Sequence, residues 1–233
     1  SSISSDGSTI AIGGYTAKDV DGNKTGHVRV YNWDGNSWNQ KGSDIDGDED
    51  QDYFGYSIDL SSDGNTLISG APRNDLSGDN AGVVKVFHWN NNSWDQKGNS
   101  ILANDGSSYW GGTNNLNDGN ENIAMSSDGS IIAIGNPHAI DPTGILPSNS
   151  NSNVGLVKVF KLRDNYWEEF DSNYLLSGKS SGDKFGSSVS LSSDGLILAV
   201  GGQDTNSNGM VKIYEWNILT GWIQKGSDLL GEA

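Results

Sequence analysis

The chain has 233 residues with 32 glycines, 4 prolines and no cysteine, and its 30 Asp+Glu against 14 Lys+Arg give a formal charge of −16. That charge repels nucleic acid and anionic membrane surfaces, and the absence of cysteine excludes disulfides and thiolate metal sites. No run approaches the roughly 18 apolar residues of a membrane span. The glycine-rich composition, with abundant Asn, Ser and Asp, predicts short strands joined by tight turns rather than helices.

Four copies of one phrase organise the sequence: Ser4-Ser5-Asp6-Gly7, Ser61-Ser62-Asp63-Gly64, Ser126-Ser127-Asp128-Gly129 and Ser192-Ser193-Asp194-Gly195. The aspartates are 57, 65 and 66 residues apart, a period that points to propeller blades. Each copy predicts a four-stranded antiparallel meander, A to D. In the second, Tyr56–Leu60 is strand A, Thr66–Gly70 strand B, Val83–Trp89 strand C and Ser93–Lys97 strand D. The expected fold is therefore an all-β propeller in a single domain, 1–233, with blades near 1–42, 43–98, 99–171 and 172–233.

Strand C predicts how the blades meet. One face carries Val28 and Val30, Val84 and Val86, Val157 and Val159, or Val211 and Ile213; the other carries a basic residue, an aromatic and usually a tryptophan. Two faces that both need cover suit a sheet sandwiched between neighbours. The third copy diverges: about nine residues are inserted before Asp128, Leu162 replaces the tryptophan, and Glu168-Glu169 stands in place of Gln-Lys.

The residues Phe54-Gly55 and Gly70-Ala71-Pro72, with weaker counterparts Phe185-Gly186, Gly201-Gly202 and Gly13-Gly14, resemble the FG-GAP repeat of integrin-α-like β-propellers. The resemblance implies a propeller of secreted adhesion type, usually of seven blades, so that this chain would be an excerpt of a larger ring. It does not carry over the family's A–B calcium loop, because that loop is cut here to Ser-Ser-Asp-Gly in every copy.

Loop lengths locate a variable face. The anchor-to-strand-B offset is seven in every copy, whereas the B–C distances (Gly13 to Gly26, Gly70 to Gly82, Gly135 to Gly155, Gly201 to Gly209) are 13, 12, 20 and 8. In a meander the B–C and D–A loops share one rim, so the variation falls where a binding surface sits on a constant scaffold. On that rim Asp44, Asp46, Asp48, Asp50 and Asp52 alternate around Gly47, spacing by which hard oxygens can surround Ca²⁺; Asp19 and Asp21 form a thinner cluster. A solvated acidic loop is the competing reading. Tyr109 and Trp110, with Arg73, Asn74 and Asp75, are the candidate contacts to a protein or glycan, the other tryptophans falling at repeat-fixed positions.

His27, His88 and His138 sit at unrelated blade positions, and no nucleophile elbow accompanies them, so no catalytic pair is expected. Asn23-Lys24-Thr25 and Asn91-Asn92-Ser93 fit glycosylation sequons and hint at an extracellular setting. The sequence thus predicts a non-catalytic extracellular adhesion or assembly module, stabilised by calcium, with no nucleic-acid partner and no membrane insertion. The alternatives are a polysaccharide-acting hydrolase or lectin, and a structural blade array joined to further blades or subunits.

Overall fold

The computed structural model describes residues 1–102, 122–140, 153–170, 176–203 and 208–231. Among them there is no helix, and the strands form four antiparallel sheets, a β-propeller architecture. Blade 1 comprises Ser2–Ile3 (β1), Thr9–Gly14 (β2), His27–Trp33 (β3), Trp38–Gln40 (β4) and Ile45–Asp46 (β5). Blade 2 comprises Ile58–Leu60 (β6), Thr66–Ala71 (β7), Val83–Trp89 (β8), Trp94–Gln96 (β9) and Ile101–Leu102 (β10). Blade 3 has Ile123–Met125 (β11), Ile131–Asn136 (β12), Leu156–Arg163 (β13), Tyr166–Glu169 (β14) and Leu176–Ser177 (β15). Blade 4 has Ser188–Leu191 (β16), Ile197–Gln203 (β17), Gly209–Asn217 (β18), Gly221–Gln224 (β19) and Leu229–Leu230 (β20).

Each sheet therefore has five strands, one more than the meander predicted. The fifth is the outer strand resumed: in blade 1, β4 pairs with the end of β3 (Trp33↔Trp38) and β5 with its beginning (His27↔Asp46). The break falls at Gly42, whose φ of 82° is left-handed, and Gly98 and Gly226 repeat it at 78° and 81°. The registers also fix the rims. Gly14 pairs with His27 and Thr9 with Asn32, so the A–B and C–D turns share one end and the B–C and D–A loops the other, as expected.

The anchor phrase is a hairpin staple. The carboxylate of Asp63 accepts from Ser61 Oγ at 2.6 Å and from Asn65 N at 2.9 Å, while Gly64 takes φ 64°. Asp6, Asp128 and Asp194 do the same in their copies. The four turns are then tied along the propeller: Ser5 N donates to Ser62 O, Ser62 N to Ser127 O and Ser127 N to Ser193 O, at 2.9–3.0 Å. Near the inner strands Asp59 accepts from Ser2 Oγ in blade 1 and from Met125 N in blade 3.

Between the blades lie three apolar seams. Ala11, Val28, Val30 and Ile45 meet Phe54, Leu60, Leu67 and Val83 of blade 2. Ile68, Val84, Val86 and Ile101 meet Ile123, Ile132, Leu156 and Trp167 of blade 3. Ala133, Val157, Val159 and Leu176 meet Phe185, Leu198, Met210 and Trp222 of blade 4. Burying each such side chain is worth roughly 1.5–3 kcal/mol, so the seams carry the cohesion.

The Phe-Gly and strand-B glycines belong to these seams. A Cβ at Gly13 would lie 2.0 Å from Gly55 O and one at Gly135 2.1 Å from Gly186 O, so the next blade's Phe-Gly backbone occupies the space a side chain would need. Phe54 N donates to Thr25 O and Phe185 N to Val154 O, pinning the same segment to the preceding blade. In the third copy the register places Glu169 opposite Phe160 where the others have glutamine, so Phe170 takes the lysine position; the predicted Glu168-Glu169 substitution is shifted by one residue.

Candidate functional site

The acidic run on the variable rim does not gather into one cage. Strand β5 claims Ile45 and Asp46, which fixes the direction of each later carboxylate separately. Asp48 crosses the seam to Lys85 Nζ, at 2.5 Å. Asp50 accepts from Lys24 N. Asp52 is buried and accepts from Glu49 N and from Asn74 Nδ2 at 2.8 Å; burial pushes its carboxyl up, against these hydrogen bonds. In blade 4 Asp183 caps the equivalent turn through Lys179 N and Ser180 N, so the Asp-x-Phe-Gly aspartate is a turn cap.

Asp44 and Asp46 do come together, with His27 rather than with the other aspartates. Cross-strand pairing of β3 with β5 sets His27 Nδ1 3.8 Å from Asp44 and 4.0 Å from Asp46. The Arg29 guanidinium grips Asp44 with two bonds of 2.9 and 2.8 Å, and Gln40 adds a third at 2.8 Å. Those bonds hold the Asp44 carboxyl below the usual range, whereas burial and the neighbouring Asp44 charge push Asp46 up. The three ligand-type atoms lie within 4.8 Å of one another, the one group of three His, Cys, Asp or Glu among the described residues close enough to hold a metal ion. A histidine with two carboxylates suits a divalent transition metal better than calcium. Arg29 and Gln40 already use much of the Asp44 lone-pair capacity, so the cluster is stable as an ion-pair network as it stands.

Asp19 accepts from Asp21 N and Asn23 N and closes an exposed Asx turn. Asn74 is buried under Asp52 and its Oδ1 accepts from Leu76 N, so it braces the loop. Asp75 accepts from Asn80 N. Tyr109 and Trp110 lie outside the described residues.

Arg73 belongs to a cluster that loop lengths alone did not single out. Its guanidinium lies over the Tyr53 ring, 4.6 Å from the centroid, with Nη1 3.3 Å from the Tyr53 hydroxyl. Tyr15 meets Tyr53 edge-on at 6.0 Å and Tyr56 at 5.3 Å. All four side chains are half-buried, and Arg73 Nε is buried without a hydrogen-bond partner among the described residues. Three rings and a fork of donors on the rim between blades 1 and 2 form a small amphipathic platform. The sequence signal was present in Tyr53 and Tyr56 around the Phe-Gly pair, but Tyr15 joins them only through the seam.

These features define a propeller frame with a polar and aromatic rim. No protein-family model matches the chain, and no curated protein matches it. Among solved structures it is similar to a putative 6-phosphogluconolactonase from Bacteroides uniformis, at 14% identity and TM-score 0.53, covering 99% of this chain and 54% of that one. The chain thus spans about half the length of that structure. A structure from a study of two prolyl endopeptidases is more distant, at 10% identity and TM-score 0.44, over 89% of this chain and 26% of that one. The first likeness shows the fold. It also corrects one expectation: the non-catalytic adhesion or assembly module was read from the variable rim, the FG-GAP resemblance and the lack of a catalytic pair, and the structure similar over 99% of this chain bears an enzyme's name.

Proposed function

We propose that this chain is a saccharide-acting propeller of hydrolase type, which holds an uncharged sugar on the rim between blades 1 and 2. The observation that carries the reading is the Tyr15–Tyr53–Tyr56 cluster with Arg73 laid over Tyr53. Aromatic faces take the apolar C–H face of a sugar ring, and the guanidinium and phenol groups take its hydroxyls. A net charge of −16 favours an uncharged substrate over a phosphorylated one. The lactonase name of the structure with a similar fold supports the sugar class, and the phosphate in that name is not carried over. Asp46, whose carboxyl is pushed up by burial and by the neighbouring Asp44 charge, is the candidate carboxyl for the hydrolytic step, with Asp44 and His27 beside it.

The test is a panel of neutral oligosaccharides and sugar lactones scored for binding by calorimetry and for hydrolysis by released product. Tyr53→Ala and Arg73→Ala are expected to weaken binding by about tenfold or more each, in line with roughly 1–2 kcal/mol for a lost stacking or charged contact. Asp46→Asn is expected to abolish turnover and to leave binding in place. No binding and no turnover across the panel by the unaltered chain would discard the proposal.

A further inference from the structure

The four blades repeat one register between strand C and the resumed outer strand, and three of them put an apolar residue on strand C there. Val83 stands opposite Leu102 in blade 2, Leu156 opposite Ser177 in blade 3 and Met210 opposite Leu230 in blade 4. Blade 1 places His27 opposite Asp46. Asp44, two residues before Asp46, lies beside the same pair, and its own surroundings recur elsewhere. In blade 4 Gln224 donates to Asp228 at 2.7 Å and Lys212 Nζ lies 3.6 Å from that carboxylate, as Gln40 and Arg29 hold Asp44. Blade 1 therefore adds, to a network that the repeat already contains, one imidazole and one further carboxylate.

The three added and recurring groups surround a gap rather than close on one another. His27 Nδ1 is 3.8 Å from Asp44 Oδ2 and 4.0 Å from Asp46 Oδ1, both too long for a hydrogen bond. The other nitrogen, Nε2, lies over Gly14, 3.4 Å from where a Cβ would stand, so the edge bearing Nδ1 is the one turned to the carboxylates. Bonds of about 2.0–2.2 Å to a shared tetrahedral ion set ligand atoms about 3.4 Å apart, so the two histidine distances need shorten by only roughly half an ångström. Among the described residues, Asp44 Oδ1 accepts from both Arg29 Nε and Gln40 Nε2, whereas Oδ2 accepts from Arg29 Nη2 alone. The oxygen with a lone pair to spare is the one that faces His27. Arg29 and Gln40 thus orient a ligand, as outer partners of metal-bound carboxylates do, and the guanidinium offsets one of the two negative charges.

We infer that His27, Asp44 and Asp46 bind one divalent transition-metal ion of the zinc class, through His27 Nδ1 and one oxygen of each carboxylate. An imidazole nitrogen among only three protein ligands disfavours Ca²⁺, which takes roughly six to eight oxygens. Three protein ligands leave a fourth position open to water. All three come from one blade, so the ligand set is complete without a neighbour on either side. The ion also relieves the repulsion between Asp44 and Asp46, whose ligand oxygens lie within 4.8 Å of each other. This site goes beyond the saccharide reading and does not depend on it, since ion binding is measured with no substrate present.

The test is calorimetric titration of Zn²⁺ into the full chain, free of any histidine tag and stripped of metal with a chelator that is then dialysed away. One ion per chain is expected, and Ca²⁺ at the same concentration should leave it in place. His27→Ala and Asp46→Asn are each expected to lower the affinity by about tenfold or more. Asp48→Asn, in the same acidic run, and Asp228→Asn, the blade-4 counterpart of Asp44, should stay within about twofold of the unaltered chain. Nuclear magnetic resonance of the unaltered chain keeps the test decisive if a variant fails to fold: of the three histidines, only the His27 imidazole should shift as Zn²⁺ is added. Absence of heat together with an unmoved His27 imidazole overturns the inference. So does Zn²⁺ binding that survives in folded His27→Ala, or that equal Ca²⁺ displaces, because the ion would then sit on a general acidic surface.

Discussion

Gly135 shows how a single position can be legible in sequence while its reason is not. Its fixed distance from Asp128 marks the end of strand B, but the cause of the glycine is Gly186 O, which belongs to the next blade and would sit 2.1 Å from any Cβ. Gly135→Ala is expected to destabilise by about 1–3 kcal/mol through overpacking against backbone that cannot yield, measured by urea unfolding. Gly209→Ala, where nothing lies within 4 Å, is the control and should stay within about 0.5 kcal/mol. The hairpin aspartates set a pH response at the same scale. Hydrogen bonds from Ser4 and Ser8 hold Asp6 down from the ordinary 3.8 to about 2, and one from Ser192 leads in lowering Asp194; in Asp63 and Asp128 an upward push from burial is outweighed by bonds from the neighbouring turn. A folded-state carboxyl with a depressed pKa binds fewer protons than the unfolded chain. Its stabilisation is therefore complete above the unfolded value and lost as pH falls through the folded one. The urea midpoint is expected to be flat near neutral pH and to drop between about pH 4 and pH 2, and Asp128→Asn should flatten part of that drop.

At the scale of the element, the blades interlock through outer-strand side chains as well as through apolar strand faces. Lys41 is buried in the first seam, with burial lowering its pKa, and its Nζ satisfies Gly64 O and Asn65 Oδ1. Lys41→Ala leaves those acceptors unpaired and uncovers the Trp89–Trp94 pair, so a loss of about 1–3 kcal/mol is expected. Lys225→Ala, at the exposed blade-4 counterpart, should change stability by less than about 0.5 kcal/mol. Thermal unfolding of the two variants in parallel checks both. The alternation of strand C made the double-sided burial readable from Val84, Val86, Phe87 and Trp89. The split outer strand was not readable, because the break at Gly42 looks like any turn glycine, and only pairing with β3 shows that Ile45–Asp46 resumes the same edge. That resumption also divides the acidic run. Alternation along sequence suggested one loop with converging oxygens, whereas a strand inside it sends Asp44 and Asp46 to His27 and leaves Asp48, Asp50 and Asp52 to separate partners.

For the whole molecule, repeat spacing and composition were enough for the all-β propeller. They were not enough for function. Loop-length variation drew attention to the B–C and D–A rim, but Tyr15 and Tyr53 are about 40 positions apart in sequence and meet only because adjacent blades stack. The adhesion reading was drawn from the FG-GAP resemblance and the variable rim, and one fold hosts many activities. What the frame does determine is a gradient of burial, greatest in blades 2 and 3 and least at the outward faces of blades 1 and 4. Native-state hydrogen exchange on the chain tests that claim most directly. Amides of β7 and β12 are expected to exchange slowest, through opening of the whole structure, and those of β2 and β17 faster, through local opening. Equal protection across the four B strands, or slower exchange in β2 and β17 than in β7 and β12, would contradict a structure held together by doubly covered blades.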